Sequence, residues 1–571
     1  MRWSLHAAGA LCALLVPGTA VAQIPVQQTP RQEYQLPEAE IPEGSPEVPI
    51  ALPPPPPPQE GLAAGLQVRV EAFQFAGNTV FSDTELAEVV APWTGREISS
   101  AELQAARQAL TAHYVEHGYV TSGALLPDQK VETGVVDIRI VEGRLSDVEV
   151  VDIGWFRPSY FRTRLMLESS RPLQIERLER RLQLFQQDVR IRRIQARLVP
   201  GEARGEAVLR LVVEEELPFQ AGTEFANDKP ASVGELTGRF RVGFRNVTGF
   251  GDQLLANIAI TEGVKPDADV RYRVPFTPWD TSFEARFRLT DSGVVESPFD
   301  VADIENLTTT VALGFFQPVY RTPEDEVRVG LIGAWRRSES EIDGFGFGFP
   351  GTGASADGIS KISVLRIGGD WIRRTRSQVL ALRTLVNVGL PVLGATENPS
   401  GIPDSRFVSW LTQFQWAQRF PELFDIEAVL RADLQLANDP LMTLEQIGVG
   451  GMRSVRGYRE NQIVRDQAVI GSLELRYPVW RSAGGRHLVQ FGPFVDVGHG
   501  WNRKRDDPST VPFEAPRSKT LTSVGVGIRY RFARYLRAEF YWGGQLNKVP
   551  SPSERSLQDD GIYFSLRADF L

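Results

Sequence analysis

The chain has 571 residues, with 62 Lys or Arg against 71 Asp or Glu, which gives a formal net charge of −9. This acidic balance offers no basic surface for nucleic acid, so we expect none as a partner. The single cysteine, Cys12, argues against disulfide frameworks, thiolate zinc sites and cysteine catalysis. With only five histidines, histidine-rich metal chemistry is a poor fit as well. We therefore expect neither a metal nor a cofactor.

The first 22 residues have the features of a secretory signal peptide. Arg2 is followed by an apolar run from Ala7 to Val16 and by a small-x-small triplet that ends at Ala22. The run is shorter than the ~20 apolar residues that a membrane-spanning helix needs. We expect residues 1–22 to be removed on export, which leaves a mature chain without cysteine.

Residues 23–65 are rich in proline and contain an unbroken run from Pro53 to Pro58. Proline fixes φ and removes a backbone donor, so an extended linker without a core is predicted here. A ligand for a proline-binding partner is the alternative interpretation.

Two consecutive segments, 66–143 and 144–217, follow one plan of strand, helix, helix, strand and strand. In the first segment Ser82 and Glu85 have the spacing of a capping box, which predicts a helix start. Strands are predicted at 66–75, 119–126, 135–141, 145–153, 191–199 and 207–215, and further helices at 99–116, 159–167 and 174–187. A tandem repeat of one plan indicates domain organisation more strongly than a single motif does.

From residue 218 to 571, segments of about ten residues alternate between apolar and polar side chains, as in Arg239–Arg245 and Ser523–Phe532. A soluble sandwich also alternates, but many long strands without a covering helix favour a closed transmembrane barrel. Short turns alternate with long polar connections at 291–305, 338–360, 392–405, 436–465 and 502–519. We predict antiparallel strands that start near residues 219, 235, 251, 267, 281, 306, 325, 361, 377, 406, 423, 466, 487, 521, 535 and 561. The fold class is thus a mainly β membrane protein, a 16-stranded β-barrel preceded by two β-α-α-β-β domains.

One long connection, residues 448–460, is rich in glycine and arginine. A nucleotide-binding loop would open a helix, whereas a strand pattern resumes near Asp466, so an outer loop is the simpler interpretation. On the strand around Asp496, apolar and polar side chains alternate. Asp496 lies on the polar face and should therefore point into the lumen. Arg456 is able to fold inward and pair with it in a bidentate contact. Because inner walls of barrels carry many charges of both signs, spacing alone leaves this pairing open.

Several motifs together resemble the TpsB-type outer-membrane transporters of two-partner secretion, the haemolysin secretion and activation type. They are Val455-Arg456-Gly457-Tyr458, Phe494-x-Asp496-x-Gly498 and, in the first repeat, Phe75-x-Gly77-Asn78-Thr79-x-Phe81, Gly118-Tyr119 and Glu142-Gly143-Arg144-Leu145. The resemblance covers residues 66–571 and implies that the repeats are POTRA domains. It also implies that the loop carrying Arg456 enters the barrel and contacts Asp496. Members of that family often carry an N-terminal plug helix, but residues 23–64 are too proline-rich to predict one.

The resemblance implies a transporter in the outer membrane of a Gram-negative bacterium, with its POTRA domains in the periplasm. These domains would capture an unfolded exoprotein through its N-terminal secretion domain, and the barrel would conduct it outward. With no nucleotide motif in the sequence, folding or trapping outside would drive export. Outer-membrane lipid and, during biogenesis, the barrel assembly machinery are further expected partners. The alternative function is an assembly factor that inserts other barrels.

An exposed strand edge is the physical means by which a POTRA domain would hold an extended chain, because it pairs with an added strand. If the family's sheet order holds, the edge strand is 119–126 in the first repeat and 191–199 in the second. The residues that we predict to bind the exoprotein are Tyr119, Val120, Leu125 and Leu126.

Two patterns that suggest enzymes have simpler explanations. His113, Glu116 and His117 match the H-x-x-E-H spelling of zinc peptidases. The corresponding helix of the second repeat has no histidine, so an exposed helix end is the more economical interpretation. Asp496 and His499 are three residues apart on a strand and therefore face opposite sides. With no serine partner in reach, we expect no enzymatic activity.

Overall fold

The computed structural model describes residues 33–36, 41, 50–51, 67–169, 172–505, 517–550 and 555–570. The predicted signal peptide and most of the proline-rich linker lie outside these residues. In this part of the chain, no helix has both the length and the apolar character to cross a membrane. In chain order, the described residues form two small α/β units and then one large closed barrel.

The first unit packs two helices against short strands. Its elements, preceded by a two-residue strand β1 (Ile50–Ala51), are β2 (Gln67–Val70), β3 (Ala72–Ala76), α1 (Asp83–Val90), β4 (Arg96–Ser99), α2 (Ser100–Glu116), β5 (Gly123–Leu125) and β6 (Val135–Val141). The predicted capping box of Ser82 and Glu85 is present at the start of α1, and Ser99 and Glu102 form a second one at the start of α2. The main sheet has the order β3-β6-β5, so β5 is an edge strand.

The second unit repeats the plan and follows directly. Its elements are β7 (Arg144–Val151), α3 (Pro158–Leu165), α4 (Ile175–Gln186), β8 (Ile191–Pro200) and β9 (Glu206–Glu215). Helix α4 buries Leu178, Leu182 and Phe185, which are spaced by four and three residues and so lie on one face. The sheet order is β1-β8-β9-β7, which means that β1 from the linker is added to the edge of β8.

The predicted strand at 119–126 is shorter in the structure and covers only Gly123–Leu125. The backbone N–H of Tyr119 donates to the carbonyl of Tyr114, and that of Ser122 donates to the carbonyl of Tyr119. The chain therefore leaves α2 through a tight turn before it becomes extended. A periodicity argument does not detect such a turn, because Tyr119 and Val120 are strand-forming residue types.

The barrel follows and closes by pairing its last strand with its first. Its strands are β10 (Phe219–Ala226), β11 (Thr237–Arg245), β12 (Gln253–Thr261), β13 (Val264–Pro275), β14 (Ser282–Gly293), β15 (Ile304–Arg321), β16 (Asp325–Ile342), β17 (Phe345–Gly346), β18 (Ile359–Arg374), β19 (Gln378–Leu390), β20 (Val408–Phe420), β21 (Ile426–Ala437), β22 (Ile447–Val449), β23 (Ile463–Arg465), β24 (Gln467–Arg481), β25 (His487–Trp501), β26 (Ser518–Phe532), β27 (Leu536–Gln545) and β28 (Ile562–Asp569). The two-residue β17 pairs antiparallel with the end of β16, and β22 and β23 pair only with each other. The remaining 16 strands form the antiparallel wall, which confirms the predicted fold class. Each wall strand begins within three residues of its predicted start.

The barrel wall is apolar outside and polar inside. On β11 the side chains of Phe240 and Val242 are exposed, whereas inner-wall groups such as Arg366 and Asp496 are fully buried. Exposed aromatic side chains lie near both rims, as in the girdles of membrane barrels. They include Phe276, Trp279, Tyr320, Trp480 and Tyr535 at one end and Phe225, Trp410 and Trp542 at the other.

The second unit docks on the rim that carries the short turns. Arg157 Nε donates to the carbonyl of Thr248 at 2.9 Å, and Arg164 forms an ion pair with Asp280 at 2.8 Å. The long connections all leave the opposite rim. This placement defines the two sides of the barrel.

Candidate functional site

The connection between β21 and β24 folds back into the barrel. Strands β22 and β23 form an antiparallel hairpin in which Ile447, Val449 and Ile463 are buried. The Gly-rich stretch at 448–460 forms the tip of this hairpin and leads into a strand rather than a helix. We call residues 438–466 the lumen loop.

Arg456 of the lumen loop meets Asp496 of β25. Its Nε and Nη2 atoms donate to the two carboxylate oxygens of Asp496, both at 2.9 Å, and its backbone N–H donates to Oδ2 at 3.0 Å. The side chains are 3% and 0% exposed. Two parallel N–H···O⁻ bonds fix both distance and orientation, so this contact positions the loop tip against the wall.

The rest of the Arg456 guanidinium is also satisfied. Nη1 donates to Glu474 at 2.7 Å, and Nη2 donates to Ser472 at 3.1 Å. The guanidinium carbon lies 3.5 Å from the ring centroid of Phe494, which stacks on its face. Phe494 and Asp496 share the inner face of β25 because they are two residues apart. The structure thus brings together one member of the loop motif and two of the strand motif.

Gly498 completes the strand motif by leaving room for the loop. A Cβ atom at this position would lie 2.4 Å from Val449 Cγ1 and 2.8 Å from Val455 Cγ2. Both valines are fully buried in a cluster with Ile447, Tyr458 and Ile470. Only a residue without a side chain allows the loop to pack this closely against β25.

Gly457 and Tyr458 attach the loop tip to the neighbouring strands. Gly457 has φ of 92°, which favours glycine, and its carbonyl accepts a hydrogen bond from Gln545 at 2.7 Å. The buried Tyr458 hydroxyl lies 2.8 Å from the carbonyl oxygens of Thr522 and Asn547. All four residues of the loop motif therefore contact the inner wall.

A second anchor of the lumen loop was not found from the sequence. Glu445 accepts from Arg366 Nη2 and Nη1 at 2.8 and 2.9 Å, and from Arg336 at 3.1 Å. At the tip, Arg459 donates to Asp559 and to Glu296, two acidic residues in other outer loops. Inward parity on β18 does point Arg366 at the lumen, but nothing in the sequence signals a partner on a distant loop.

Residues 33–36 and Ile41 lie inside the lumen, which differs from the predicted linker without a core. Glu33 forms an ion pair with Arg286 at 2.7 Å, and the carbonyl of Tyr34 accepts from Arg383 at 2.5 Å. Ile41 packs in an apolar cluster with Val379, Ala417 and Val429. Arg336 contacts both Glu33, at 3.9 Å, and Glu445, at 3.1 Å. The N-terminal segment and the lumen loop therefore share a wall arginine.

The four residues predicted to bind the exoprotein have different surroundings. Tyr119 lies in the turn after α2 and packs against the core of the first unit, whereas Val120 packs against the core of the second. Leu125 is the last residue of the edge strand β5, and Leu126 packs against the first core. Their proposed role stays a prediction.

The enzyme-like patterns have structural partners instead. His117 Nδ1 lies 2.7 Å from the carbonyl of His113, and both rings pack against Phe81. His499 Nδ1 lies 2.8 Å from Thr520 Oγ1, on the other face of β25 from Asp496. Among the described residues, no group of three or more His, Cys, Asp and Glu side chains is arranged to hold a metal ion.

Two protein-family models match the chain. Residues 68–143 match the POTRA domain of the ShlB type, and residues 205–530 match the haemolysin secretion/activation protein ShlB/FhaC/HecB. The second match covers more than half of the chain and includes both the lumen loop and the strand motif around Asp496.

Relatives with the same architecture were found in sequence and in structure. The outer membrane transporter CdiB of Dickeya dadantii is 22% identical over 449 residues, which are 77% of each chain. The heme/hemopexin transporter protein HuxB of Haemophilus influenzae is 21% identical over 465 residues, 78% of each chain. The solved structure of CdiB from Escherichia coli superposes with a TM-score of 0.64 at 19% identity, covering 90% of this chain and 92% of that one. At this identity the structural likeness shows the fold alone.

Proposed function

We propose that this chain, which belongs to the haemolysin secretion/activation protein family ShlB/FhaC/HecB, exports one large exoprotein to the cell exterior. Family membership makes it a two-partner secretion transporter of the outer membrane, with its POTRA domains in the periplasm. The observation that carries the proposal is the match over residues 205–530, since both the lumen-loop motif and the strand motif around Asp496 lie within it.

The POTRA domains receive the exoprotein through its N-terminal secretion domain while it is unfolded. An extended chain is able to add to a sheet edge through backbone hydrogen bonds, which need no particular sequence. Tyr119, Val120, Leu125 and Leu126 are the residues that we propose for this contact in the first domain. The barrel then conducts the chain outward in an extended form.

Export by this route requires movement inside the lumen. In the resting structure the lumen loop and residues 33–36 occupy the barrel interior and hold several buried ion pairs. Both must shift for a polypeptide to pass. We propose that folding outside supplies the drive by mass action, without ATP or any catalytic step.

The outer wall and the biogenesis of the barrel imply two further partners. Exposed side chains such as Phe240 and Val242 form an apolar surface suited to outer-membrane lipid. A closed barrel with such a surface depends on the barrel assembly machinery for insertion, which we propose as a transient partner. The alternative role, insertion of other barrels, uses the same fold but is not what either family description names.

The test is a secretion assay. The chain is co-expressed with candidate large secreted proteins, such as any encoded by an adjacent gene, and exoprotein in the medium is quantified. We expect export by the wild type and a several-fold loss with Arg456→Ala or Asp496→Ala, at normal barrel abundance. Arg406→Ala, which removes the exposed arginine of an outer-loop ion pair with Asp404, is the matched control. Absence of export by the wild type would contradict the function, and normal export by both lumen variants would contradict the role of the pair.

A further inference from the structure

Trp155 belongs to the second POTRA domain but lies on the outer face of the barrel wall. It is in the loop between β7 and α3, and its indole packs edge-on against Phe219 of β10 and Phe244 of β11, with ring centroids 6.2 and 6.0 Å away. Phe219 and Phe244 pair across the two strands and have the outward parity of the exposed Phe225. A side chain of the periplasmic domain therefore extends the surface that faces lipid.

The three rings are part of a group of apolar side chains at the periplasmic rim. Its other members come from the β9–β10 connection and the β11–β12 turn. We call this group the rim patch, and its members are Trp155, Leu217, Phe219, Phe244, Val247 and Phe250. All of them except Phe244 are exposed, Leu217 by 63% and Trp155 by 49%. Soluble surfaces rarely expose so many large apolar side chains together, so the rim patch is suited to a partner.

The loop that carries Trp155 has a fixed conformation. The carboxylate of Glu215, at the end of β9, accepts from the backbone N–H groups of Gly154, Trp155 and Phe156 at 2.8, 2.9 and 3.2 Å. The Phe156 ring is buried in the core of the second POTRA domain. Glu215 thus holds the loop with the Phe156 ring inside the domain and the Trp155 ring outside it.

Trp155 supplies a polar atom that the wall lacks at this part of the rim. Elsewhere on the same rim, exposed Trp279 and Tyr535 combine an apolar ring with one hydrogen-bonding group, as side chains at a membrane interface do. On β10 and β11 the rim positions are Phe219 and Phe244, which have no such group. The indole Nε1 of Trp155 makes no hydrogen bond within the described part of the chain, so it is free to bond to a lipid headgroup.

An exposed arginine borders the rim patch. Arg157 Nε donates to the carbonyl of Thr248 at 2.9 Å, and the guanidinium carbon lies 4.6 Å from the ring centroid of Phe250. Neither Nη atom of Arg157 has an acceptor among the residues that the structure describes. A guanidinium matches the geometry of a phosphate group. Apolar side chains beside a cationic group are typical of proteins that lie on a phospholipid surface.

We propose that the second POTRA domain binds the periplasmic leaflet of the outer membrane, with Trp155 in the headgroup layer and Arg157 on a phospholipid phosphate. The rim patch is continuous with the barrel wall that the bilayer surrounds, and this continuity favours phospholipid over a protein as the occupant. The leaflet then holds the domain at the rim together with its direct contacts to the barrel turns. This inference goes beyond the lipid contact of the barrel itself and does not depend on export.

The first test places the native Trp155 side chain relative to the lipid. The full mature chain, labelled with fluorotryptophan, is reconstituted in nanodiscs of phosphatidylethanolamine and phosphatidylglycerol, and fluorine NMR spectra are recorded. The signals are assigned from their loss in Trp155→Phe, Trp279→Phe and Trp93→Phe. A lipid with a nitroxide on its headgroup should broaden the signals of Trp155 and of the rim residue Trp279. Trp93, in the first POTRA domain, should stay sharp. A Trp155 signal as sharp as that of Trp93 would overturn the proposal.

The depth of Trp155 is measured with a second lipid, which carries the nitroxide at the end of an acyl chain. We expect this lipid to broaden the Trp155 signal less than the headgroup nitroxide does, because tryptophan prefers the interface. Equal or stronger broadening by the deep nitroxide would place the indole among the acyl chains and would overturn the assignment to the headgroup layer.

Glu215 is the positioning residue for this contact, and Glu215→Gln tests it. The amide has one acceptor oxygen in place of two, so the loop should be held less firmly and the headgroup nitroxide should broaden the Trp155 signal less. Glu214→Gln is the matched control, because Glu214 pairs with the exposed Arg192 instead. Broadening that is the same in Glu215→Gln and in the wild type would contradict the role of Glu215.

The last test asks whether the leaflet holds the domain. Spin labels at Arg204→Cys, on the β8–β9 turn, and at Arg376→Cys, on a barrel turn, give a distance distribution in nanodiscs. We expect a narrow distribution for the otherwise unchanged chain and a broad one once Trp155→Asp is added. Val115→Asp, the same kind of change at an exposed apolar residue of the first POTRA domain, should leave it narrow. A narrow distribution with Trp155→Asp would show that the domain is held without the leaflet and would overturn that part of the proposal.

Discussion

Glu445 of the lumen loop and Arg366 of β18 form a bidentate ion pair in which neither side chain is accessible to solvent. Arg336 of β16 contacts the same carboxylate and also approaches Glu33 of the N-terminal segment. A buried carboxylate that serves two arginines is costly to remove, because both buried cations then lose their closest carboxylate. The base of the lumen loop is therefore held as firmly as its tip.

We expect Glu445→Ala to destabilise the seated loop by roughly 3–5 kcal/mol, since it leaves two buried arginines without their carboxylate. The reporter is Met452→Cys near the loop tip, and its labelling by a thiol reagent is timed in the predicted mature chain, which lacks Cys12. Labelling should be slow in the reporter background and much faster once Glu445→Ala is added. Arg555→Ala, which removes an exposed outer-loop pair with Asp560, serves as the control. Equal labelling rates in all three chains would contradict the role of Glu445.

Gly498→Ala should displace the loop although it adds only one methyl group. The new Cβ would approach Val449 Cγ1 to 2.4 Å and Val455 Cγ2 to 2.8 Å. Overpacking of this kind costs about 1–3 kcal/mol. We expect faster labelling of the same Met452→Cys reporter and lower export. Combining Gly498→Ala with Val449→Ala and Val455→Ala should restore slow labelling.

The control for this prediction is Gly333→Ala on β16. A Cβ there has no neighbour within 4 Å, so the same chemical change adds no contact. If Gly333→Ala and Gly498→Ala gave the same export and labelling, close packing at Gly498 would not be what seats the loop.

The fold was largely predictable from the sequence because the wall strands have apolar side chains on one face and polar side chains on the other. Alternation around Arg239–Arg245 and Ser523–Phe532 locates strands and says which side chains face lipid. The same parity argument points Asp496 and Arg366 into the lumen. Parity does not identify the residues that pair with Asp496 and Arg366, because a loop that enters a barrel lies close to many charged side chains on the inner wall. For Arg456 the choice came from the family resemblance, and for Glu445 the sequence offered no comparable motif.

The N-terminal segment was harder to predict for a different reason. Its proline content predicts a linker without a core, whereas Glu33 and Ile41 pack inside the barrel and Ile50–Ala51 form a strand. Glu33 and Ile41 make contacts with strands hundreds of residues away, such as Arg286 or Val429. Contacts over such a separation cannot be predicted from the neighbouring residues. Composition alone therefore predicts a spacer over the whole segment.

Glu142 should make the first POTRA domain sensitive to acid. It accepts from the Thr79 hydroxyl, from the backbone N–H groups of Thr79 and Val80 at 2.6 and 2.8 Å and from the Tyr114 hydroxyl at 3.0 Å. Partial burial raises the pKa of Glu142, but these hydrogen bonds outweigh that effect and hold the pKa below its ordinary value of 4.5. The carboxylate therefore contributes stability that is fully present above about pH 4.5 and is lost as pH falls through the lowered folded-state pKa.

The measurement for Glu142 is amide hydrogen exchange of residues 79–81 in the full chain, followed from pH 6 to pH 3 and corrected for intrinsic exchange. Protection should fall steeply below pH 4.5 in the wild type. In Glu142→Gln, protection should be lower at pH 6 and less dependent on pH. Glu132→Gln, on a neighbouring loop, is the control. A pH profile of Glu142→Gln that matches the wild type would show that another group titrates.

Asp280 in a short periplasmic turn should control how firmly the second POTRA domain is docked. It pairs with Arg164 of α3 at 2.8 Å and with Arg321 at 2.9 Å, and Arg164 is nearly buried. Asp280 has φ of 61°, a conformation that asparagine tolerates, so Asp280→Asn keeps the turn and removes the charge. We expect docking to weaken by about 1–2 kcal/mol, because charge-assisted hydrogen bonds become neutral ones.

Spin labels at Arg180→Cys on α4 and Arg376→Cys on a barrel turn report this docking as a distance distribution. The distribution should broaden in Asp280→Asn and stay narrow in Glu216→Gln, which alters a looser pair at the same junction. That pair, Glu216 with Arg534 at 3.8 Å, has an exposed arginine, so it contributes little. If Glu216→Gln broadened the distribution as much as Asp280→Asn, the junction would depend on net charge at the rim rather than on the buried Arg164 contact.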